Sequence, residues 1–413
     1  MHSHVLQGCV GLFIASVEAE PISLPVTEEY VPLTVDDQTL NFRVDTGSAR
    51  TFAIYGPMYE ERHGKGSCDE IPSKCYFCPT NVSCDDIYTR KRWAVSSRDG
   101  DRYEYEYVQH NVTIALGNET VPDFELGLVV KYGNIHGIHK SAYGLLGLSV
   151  GRGNIPETFL EQLKRRQVIS NLVYSIHAKE EGSAITGNLT LNDSELTEDL
   201  AIPFSYHATE SSRRDELNVP LWSLRLFDSQ QNVLTQHDWR VSRRTEHGPS
   251  PGYIDTRASS IQISEEDFGT LVNATKAAME RDKLDSRYMI WEEPTIHYNM
   301  IRREATPYLP TLGFVIGEPP NDIDIRIEPK HYASDCYRGT CFLDINQDRL
   351  VWWGTVLGQP LFRAYDVKVD LSNSQLSFSS HGGSSRTAAK TETAQPRGKK
   401  GSLVGRLFKQ RKH

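Results

Sequence analysis

The stretch "FRVDTGSAR" at residues 42–50 decides the fold, because its core recurs as "GYIDTRASS" at residues 252–260. Both copies place Asp-Thr directly after an alternating, strand-like run and before small, turn-forming residues. The next residue differs between them, since it is Gly47 in the first copy and Arg257 in the second. Two such copies suggest two halves of one site, and the arginine bears on whether that site works.

The spacing around the two copies also repeats. Gly147 in "YGLLGL" lies 102 residues after Asp45, and Gly358 in "TVLGQP" lies 103 residues after Asp255. A lone Asp-Thr-Gly tripeptide is common by chance, whereas a paired pattern at matched spacing indicates an internal duplication. The predicted homologous lobes are residues 20–205 and 206–380.

Short alternating runs separated by Gly, Asn, Asp and Pro dominate residues 22–380, and this period is typical of β-strands. Helical patterns are few: we predict one helix at residues 157–166, opened by Pro156, and one at 265–282 after Ser264. The sequence therefore predicts a mainly β protein. The clearest strand patterns are "YVPLTV", "LNFRV", "HNVTIAL", "FELGLVV", "LVYSIHA", "IDIRI" and "AYDVKVDL".

Composition and charge exclude several classes of protein. The chain has 413 residues, of which 38% are hydrophobic and 24% are charged, as expected for a globular protein with a sizeable core. Residues 381–413 carry nine Lys and Arg and one Glu, a net charge of +8, so the chain's net charge of −9 leaves −17 on residues 1–380. Such an acidic body argues against nucleic-acid binding, and the basic, polar tail is predicted to be disordered.

Residues 1–19 differ from the rest of the chain. "VLQGCVGLFIASV" is a short apolar run, and it is followed by Val17-Glu18-Ala19, with small residues where a signal peptidase reads. We predict a cleaved signal peptide and a secreted protein. The later segments contain no apolar run long enough to span a bilayer, so no transmembrane anchor is expected.

Cysteine usage supports the secretory pathway. Removing the signal peptide removes Cys9 and leaves an even number of cysteines, which suits three disulfides. Cys336 and Cys341 are the most local pair, and the pairing of the first four stays open. One C-x-x-C without a second such pair is a poor zinc signature, so we predict neither a metal nor a cofactor. The six cysteines are Cys68, Cys75, Cys78, Cys84, Cys336 and Cys341.

N-x-S/T sequons fit the same compartment, although each is weak by itself. The six candidate glycosylation sites are Asn81, Asn111, Asn118, Asn188, Asn192 and Asn273.

Two loop-borne aspartates related by a pseudo-twofold axis can form one catalytic pair. Carboxyls within hydrogen-bond reach do not both ionise cheaply, so the pair shares a proton and titrates as a unit. The ionised member can take a proton from water while the protonated member polarises a peptide carbonyl. Hydrolysis then needs no covalent intermediate.

These motifs resemble the pepsin-like aspartic proteases over about residues 22–380. "VDTGSA" and "IDTRAS" are similar to the two catalytic loops, and "TVLGQPLFRAYDVKVDLSNSQLSF" to the closing strands of the family. The resemblance implies a bilobal β fold with a cleft that takes protein or peptide substrates, and a monomer. It also implies a role for each loop residue: Asp45 and Asp255 as the catalytic pair, Thr46 and Thr256 as interlocking residues, Gly47 as the tight turn, and Ser48 as a hydrogen-bond partner of Asp45.

The second loop departs from the family pattern. Arg257 replaces the glycine and Ala258 replaces the hydroxyl residue. A guanidinium beside the pair would favour the doubly ionised state and remove the shared proton. These changes leave two readings open: an aspartic endopeptidase, with activity impaired by Arg257, or an inactive relative that binds a protein or polysaccharide through the cleft.

Other departures concern the flap and its surroundings. The family's Tyr-Gly flap pair is missing from "VSSRDGDRYEYEYV", where Tyr103 or Tyr105 is either a substitute or an ordinary strand residue. Phe52 stands where the family often has tryptophan.

Two competing motifs are weaker. Gly147 to Gly151 reads G-x-S-x-G, but a nucleophile elbow needs a strand that runs straight into a helix at Ser149, within an α/β protein. His136-x-x-His139 by itself is a poor metal site.

Overall fold

The structure is a computed structural model. It describes residues 19–80, 82–96, 103–134, 142–151, 153–180, 182–193, 201–204, 217–238, 249–294, 298–348 and 354–381, which belong to one compact unit. Several predictions fall outside these residues: the signal peptide before Ala19, the 205/206 lobe boundary, the His136 and His139 pair, and the tail beyond residue 381.

The described residues are mainly β, as predicted. The strands are β1 (Ile22–Val26), β2 (Tyr30–Val35), β3 (Gln38–Asp45), β4 (Phe52–Ile54), β5 (Arg92–Ser96), β6 (Tyr103–Leu116), β7 (Glu119–Asn134), β8 (Gly144–Gly147), β9 (Val173–Ala178), β10 (Gly187–Leu191), β11 (Ala201–Pro203), β12 (Leu217–Phe227), β13 (Val233–Asp238), β14 (Ser250–Ile254), β15 (Ile261–Ser264), β16 (Ile290–Glu293), β17 (Tyr298–Arg302), β18 (Thr311–Ile316), β19 (Ile323–Ile327), β20 (Ala333–Tyr337), β21 (Thr340–Leu343), β22 (Ile345–Asp348), β23 (Thr355–Leu357), β24 (Tyr365–Asp370) and β25 (Gln375–Ser380).

Helices are short and few. The α-helices are α1 (Gly56–His63), α2 (Phe159–Arg165), α3 (Glu265–Arg281), α4 (Pro329–Tyr332) and α5 (Gln359–Ala364), and the 3₁₀ turns are Ser67–Asp69, Ile87–Thr89 and Arg303–Tyr308.

The first half of the chain forms a seven-stranded sheet in the order β2-β3-β8-β4-β7-β6-β5. β3 runs parallel to β8, and their last residues, Asp45 and Gly147, are register partners. β4 lies antiparallel to β8 and parallel to β7. Since parallel strands need a long crossover, this pairing brings distant parts of the sequence to one sheet edge.

The second half repeats this arrangement in an eight-stranded sheet, where β13 pairs with β12 beside the order β19-β18-β12-β14-β23-β15-β22. β14, which ends just before Asp255, runs parallel to β23, with Ile254 opposite Leu357. β15 lies antiparallel to β23 and parallel to β22. The strands around the two Asp-Thr copies therefore have the same connectivity, which is the duplication that the spacing predicted.

A six-stranded sheet in the order β1-β10-β9-β24-β25-β11 joins the halves. β9 of the first half pairs with β24 of the second, and Ile176 lies opposite Val367 in the buried centre. A further four-stranded sheet, β16-β17-β21-β20, extends the second half. The hydrophobic core is continuous across both halves, so the loops that end β3 and β14 rest on packed scaffolds.

The two predicted helices each begin after a residue whose side chain caps the helix. α2 begins at Phe159, later than predicted from Pro156, because Thr158 and Glu161 form a capping box there. α3 begins as predicted after Ser264, whose side chain accepts a hydrogen bond from the Asp267 N–H.

The six predicted cysteines form three disulfides. Cys336–Cys341 pairs as predicted, and the first four pair locally as Cys68–Cys75 and Cys78–Cys84. The described helices include none long and apolar enough to cross a membrane.

Asn192 differs from the other sequons. It is 2% exposed, and its side-chain oxygen accepts hydrogen bonds from the backbone of Ser170 and Asn171 and from the Ser170 hydroxyl. A glycan on Asn192 would displace these contacts, so we remove this residue from the proposed glycosylation sites. Asn81 lies outside the described residues, and the exposed candidates are Asn111, Asn118, Asn188 and Asn273.

Candidate active site

The two predicted catalytic loops meet through their threonines. The Thr46 N–H donates to Thr256 Oγ1 at 3.1 Å, and the Thr256 N–H donates to Thr46 Oγ1 at 3.1 Å. Each hydroxyl in turn donates to the strand of the other half, Thr46 to the Ile254 carbonyl at 3.1 Å and Thr256 to the Val44 carbonyl at 2.9 Å. Both threonines are buried, so four satisfied hydrogen bonds fix the loops against each other.

The two aspartates accept matching backbone hydrogen bonds beside these threonines. Gly47 N–H donates to Asp45 Oδ1 at 2.8 Å, and Arg257 N–H donates to Asp255 Oδ1 at 2.8 Å. Asp45 is 1% exposed and Asp255 is 3% exposed. Backbone N–H groups that donate to a carboxylate offset part of the cost of burying its charge, so each loop holds its aspartate in a defined orientation.

The glycines of the repeat lie directly beneath the loops. A Cβ on Gly147 would come within 2.4 Å of the Arg50 carbonyl, and one on Gly358 within 2.3 Å of the Ala258 carbonyl. Both distances are shorter than any tolerated contact, which explains why each pattern ends in glycine.

Each loop also touches the aspartate of the other loop. A Cβ on Gly47 would lie 3.2 Å from Cγ of Asp255. At the equivalent position of the second loop, Arg257 Nε lies 3.9 Å from Asp45 Oδ2, with the side chains 19% and 2% exposed. The arginine therefore lies beside one aspartate of the predicted pair. The contact is a long one rather than a short bidentate pair.

Other predicted residues have different surroundings. Ser48 Oγ accepts from the Arg50 N–H at 3.2 Å, and its predicted bond to Asp45 stays a prediction. Ala258, which brings no hydroxyl, accepts the Gln359 N–H through its carbonyl at 2.8 Å.

Of the two tyrosines considered for the flap, only Tyr105 has a described side chain. Tyr105 is 1% exposed and its ring lies 5.4 Å from that of Phe52, so it is a buried strand residue, which is the second of the two alternatives. Phe52 is itself buried and stacks on Tyr107 at 5.8 Å. The side chain of Tyr103 and residues 97–102 lie outside the described part of the flap.

The competing motifs do not form sites of their own in the described residues. Ser149 is fully buried in the turn after β8, and its N–H donates to the Ser48 carbonyl at 2.9 Å, while α2 starts only at Phe159. This is not a nucleophile elbow.

Among the described residues, one group of side chains has the spacing of a metal site. The ligand atoms of Cys78, Cys84 and His110 lie within 4.8 Å of one another, but a disulfide uses both sulfurs. His110 is buried, with Arg90 Nη1 2.8 Å from its Nδ1, and burial lowers the pKa of its imidazole.

Sequence reasoning missed three residues beneath the second loop, namely Glu29, Arg43 and Gln359. Arg43 Nη2 donates to the Arg257 carbonyl at 3.1 Å, and Gln359 Nε2 donates to the Thr256 carbonyl at 3.2 Å. A position-by-position comparison of the two copies would have found two of them, because Arg43 precedes Asp45 by two residues and Gln359 follows Gly358 directly.

Comparison with known proteins agrees with this geometry. The family model described as "Eukaryotic aspartyl protease" matches residues 31–381. The chain belongs to the eukaryotic aspartyl protease family. Family membership supports a hydrolase of the peptidase type.

One solved structure shows the shared fold. The aspartic proteinase from Irpex lacteus is similar at a TM-score of 0.59 with 14% sequence identity, over 89% of this chain and 100% of that chain. A search of curated proteins finds no match.

Proposed function

We propose that the protein is a secreted aspartic-type endopeptidase in which Asp45 and Asp255 activate water between them. The observation that carries this proposal is the reciprocal pair of hydrogen bonds between Thr46 and Thr256, in which each backbone N–H donates to the hydroxyl of the other threonine. It places both aspartates on matched loops, each with the same N–H contact to its Oδ1. A protein that needed only one aspartate would not require this symmetry.

The chemistry follows from the paired carboxyls, as in other pepsin-like enzymes. The ionised carboxylate takes a proton from water while the water oxygen bonds to the peptide carbonyl carbon, and the protonated carboxyl donates to the carbonyl oxygen. The tetrahedral diol then collapses, the C–N bond breaks, and a proton passes to the leaving nitrogen. The products are a carboxyl and an amine.

Arg257 restrains this cycle in our proposal. Its guanidinium near Asp45 stabilises the form in which both carboxyls are ionised, and that form has no proton to donate to the substrate carbonyl. Activity is therefore confined to more acidic pH than for a pair without the arginine.

The remaining features are proposed on the same basis. The disulfides and the exposed sequons suit the secretory route predicted from residues 1–19. The substrate is a protein or peptide, and we propose a monomer.

A second candidate function is a non-catalytic protein that binds a protein or polysaccharide through the cleft. The contact of Arg257 Nε with Asp45 Oδ2 favours it, because a permanent positive charge beside the pair opposes proton sharing.

The test is proteolysis of an unfolded protein substrate at acid pH by the purified secreted protein. We expect cleavage by the wild type and a loss of at least about a hundredfold in Asp45→Asn and in Asp255→Asn, because each removes one partner of the proton exchange. Equal melting temperatures would show that the variants fold. Cleavage that survives both substitutions, or a wild type and an Arg257→Gly variant that are both inert, would contradict the proposal.

A further inference from the structure

We propose that Glu29, Arg43 and Gln359 are positioning residues that hold Arg257 beside Asp45. We call these three residues the polar brace. The inference rests on the proposed function, because it assigns a cause to the restraint by Arg257. In this proposal, surrounding residues fix the position of Arg257, so the arginine is part of the site and not a neutral replacement for glycine.

One carboxylate organises the brace. Glu29 Oε2 accepts from Arg43 Nε at 2.5 Å, and Glu29 Oε1 accepts from Gln359 Nε2 at 2.6 Å. The two donors then reach adjacent carbonyls of the second loop, those of Thr256 and Arg257. The peptide groups on both sides of Arg257 are therefore tied, through Gln359 and Arg43, to a single side chain of the first half.

Glu29 is itself held firmly. Its φ of 74° lies in the left-handed region, which a residue with a side chain adopts only where its surroundings require it. Its N–H donates to the Ile185 carbonyl at 2.7 Å, and its carbonyl accepts the Val44 N–H at 2.9 Å. The carboxylate that orders the brace thus has little freedom to move.

The charges of the brace are largely desolvated, since the Arg43 and Glu29 side chains are 16% and 17% exposed. Burial is the largest influence and opposes the charge on Arg43, but Glu29 together with Tyr143 and Tyr30 outweighs it and raises the pKa of the Arg43 guanidinium above its ordinary value. A partly buried ion pair contributes little net stability and is better suited to fixing geometry.

Different residue types stand at the two equivalent positions of the other half. Two residues before the aspartate, Arg43 corresponds to Tyr253, and directly after the glycine, Gln359 corresponds to Leu148. The polar residues at both positions contact the loop that carries Arg257. The asymmetry of the scaffold thus matches the asymmetry of the catalytic loops, which indicates that the two belong together.

The brace acts on the arginine through its backbone. Fixing the Arg257 carbonyl limits rotation of the adjoining peptide, and thereby restricts where the guanidinium can lie. Without the brace, Arg257 should spend less time near Asp45, and the pair should keep its shared proton to higher pH.

The test is Gln359→Leu, which installs the residue found at the equivalent position of the first half, made both in the wild type and in Arg257→Gly. The readout is the pH dependence of kcat/KM for a quenched fluorescent peptide. In the wild-type background we expect the alkaline limb to move upward, partway toward that of Arg257→Gly. In the Arg257→Gly background we expect no further movement.

A merely structural role for Gln359 gives a different pattern. It would lower the melting temperature in both backgrounds and leave the alkaline limb of the wild type in place. An equal pH shift in both backgrounds would also overturn the proposal, because the brace would then act on the carboxyls without Arg257.

A second measurement remains informative if the protein hydrolyses no peptide. In ¹⁵N-labelled protein, the Arg257 Nε–H signal is assigned by its loss in Arg257→Gly. We expect its hydrogen exchange to quicken about tenfold in Gln359→Leu, because the guanidinium leaves its held position. Unchanged exchange would overturn the positioning role, whereas failure of the proposed function alone would leave the faster exchange intact.

Discussion

Gly47 and Arg257 occupy equivalent positions, yet their demands on space are opposite. Gly47 leaves room for the Asp255 carboxyl, since a Cβ there would come within 3.2 to 3.3 Å of its three terminal atoms. Arg257 fills the matching space beside Asp45 with a positive charge. One loop therefore leaves space for the opposite carboxyl, and the other brings a guanidinium to it.

We predict that Gly47→Ala lowers kcat/KM about tenfold with little change in melting temperature. The added methyl pushes the Asp255 carboxyl by a few tenths of an ångström, and catalytic geometry is sensitive on that scale. Steady-state kinetics and thermal unfolding of the same preparation check this.

Gly269→Ala is the matched control, because nothing lies within 4 Å of a Cβ at that position in α3. It should leave kcat/KM unchanged and stabilise the helix by about 1 kcal/mol. Equal kinetics for the two variants would contradict the role given to Gly47.

At the scale of elements, the sequence predicts more than the positions of the strands. Period-two alternation marks strands such as β2 and β19 to the residue, because each has one buried and one exposed face. The paired spacing predicts the shared connectivity around β3 and β14. The start of α2 is less visible, since Pro156 and Thr158 both suit a helix start and only the capping box decides.

Long-range contacts explain what the sequence left open. The pairing of the first four cysteines has three solutions from sequence, and the fold selects among them. The polar brace joins Arg43 to a carbonyl 214 residues away, so no local pattern reports it. The sequence left Tyr105 open between the flap and an ordinary strand position, because alternation shows that a strand has a buried face but not which tyrosine occupies it.

At the scale of the whole molecule, buried histidines make stability depend on pH. Burial, together with the charges of Lys330 and Arg363, lowers the pKa of His331 to about 4 from 6.5. The unfolded chain binds a proton at His331 below pH 6.5, whereas the folded chain does so only near pH 4. This group therefore stabilises the fold above pH 6.5, and its contribution is lost as pH falls toward 4.

We predict that the free energy of unfolding falls between pH 7 and pH 4.5 by less in His331→Gln than in the wild type. The difference is at most about 3 kcal/mol, from the displacement of the pKa. Urea unfolding at both pH values measures it.

For His177→Gln we expect the opposite effect: the free energy of unfolding should fall by more between pH 7 and pH 4.5 than in the wild type. The hydrogen bond to Asp366 raises the pKa of His177, so its contribution is present at low pH and is lost as pH rises through the folded value. If the free energy of unfolding depended on pH in the same way in both variants, this account of the two histidines would be contradicted.

The most direct test of the central claim, that Asp45 and Asp255 form a working pair restrained by Arg257, is the pH profile of kcat/KM for the wild type and Arg257→Gly. We expect both proteins to cleave the peptide, with the alkaline limb about one pH unit higher in Arg257→Gly, because removing the guanidinium lets the pair keep its shared proton longer. Superimposable profiles, or an alkaline limb that moves to lower pH, would contradict the account.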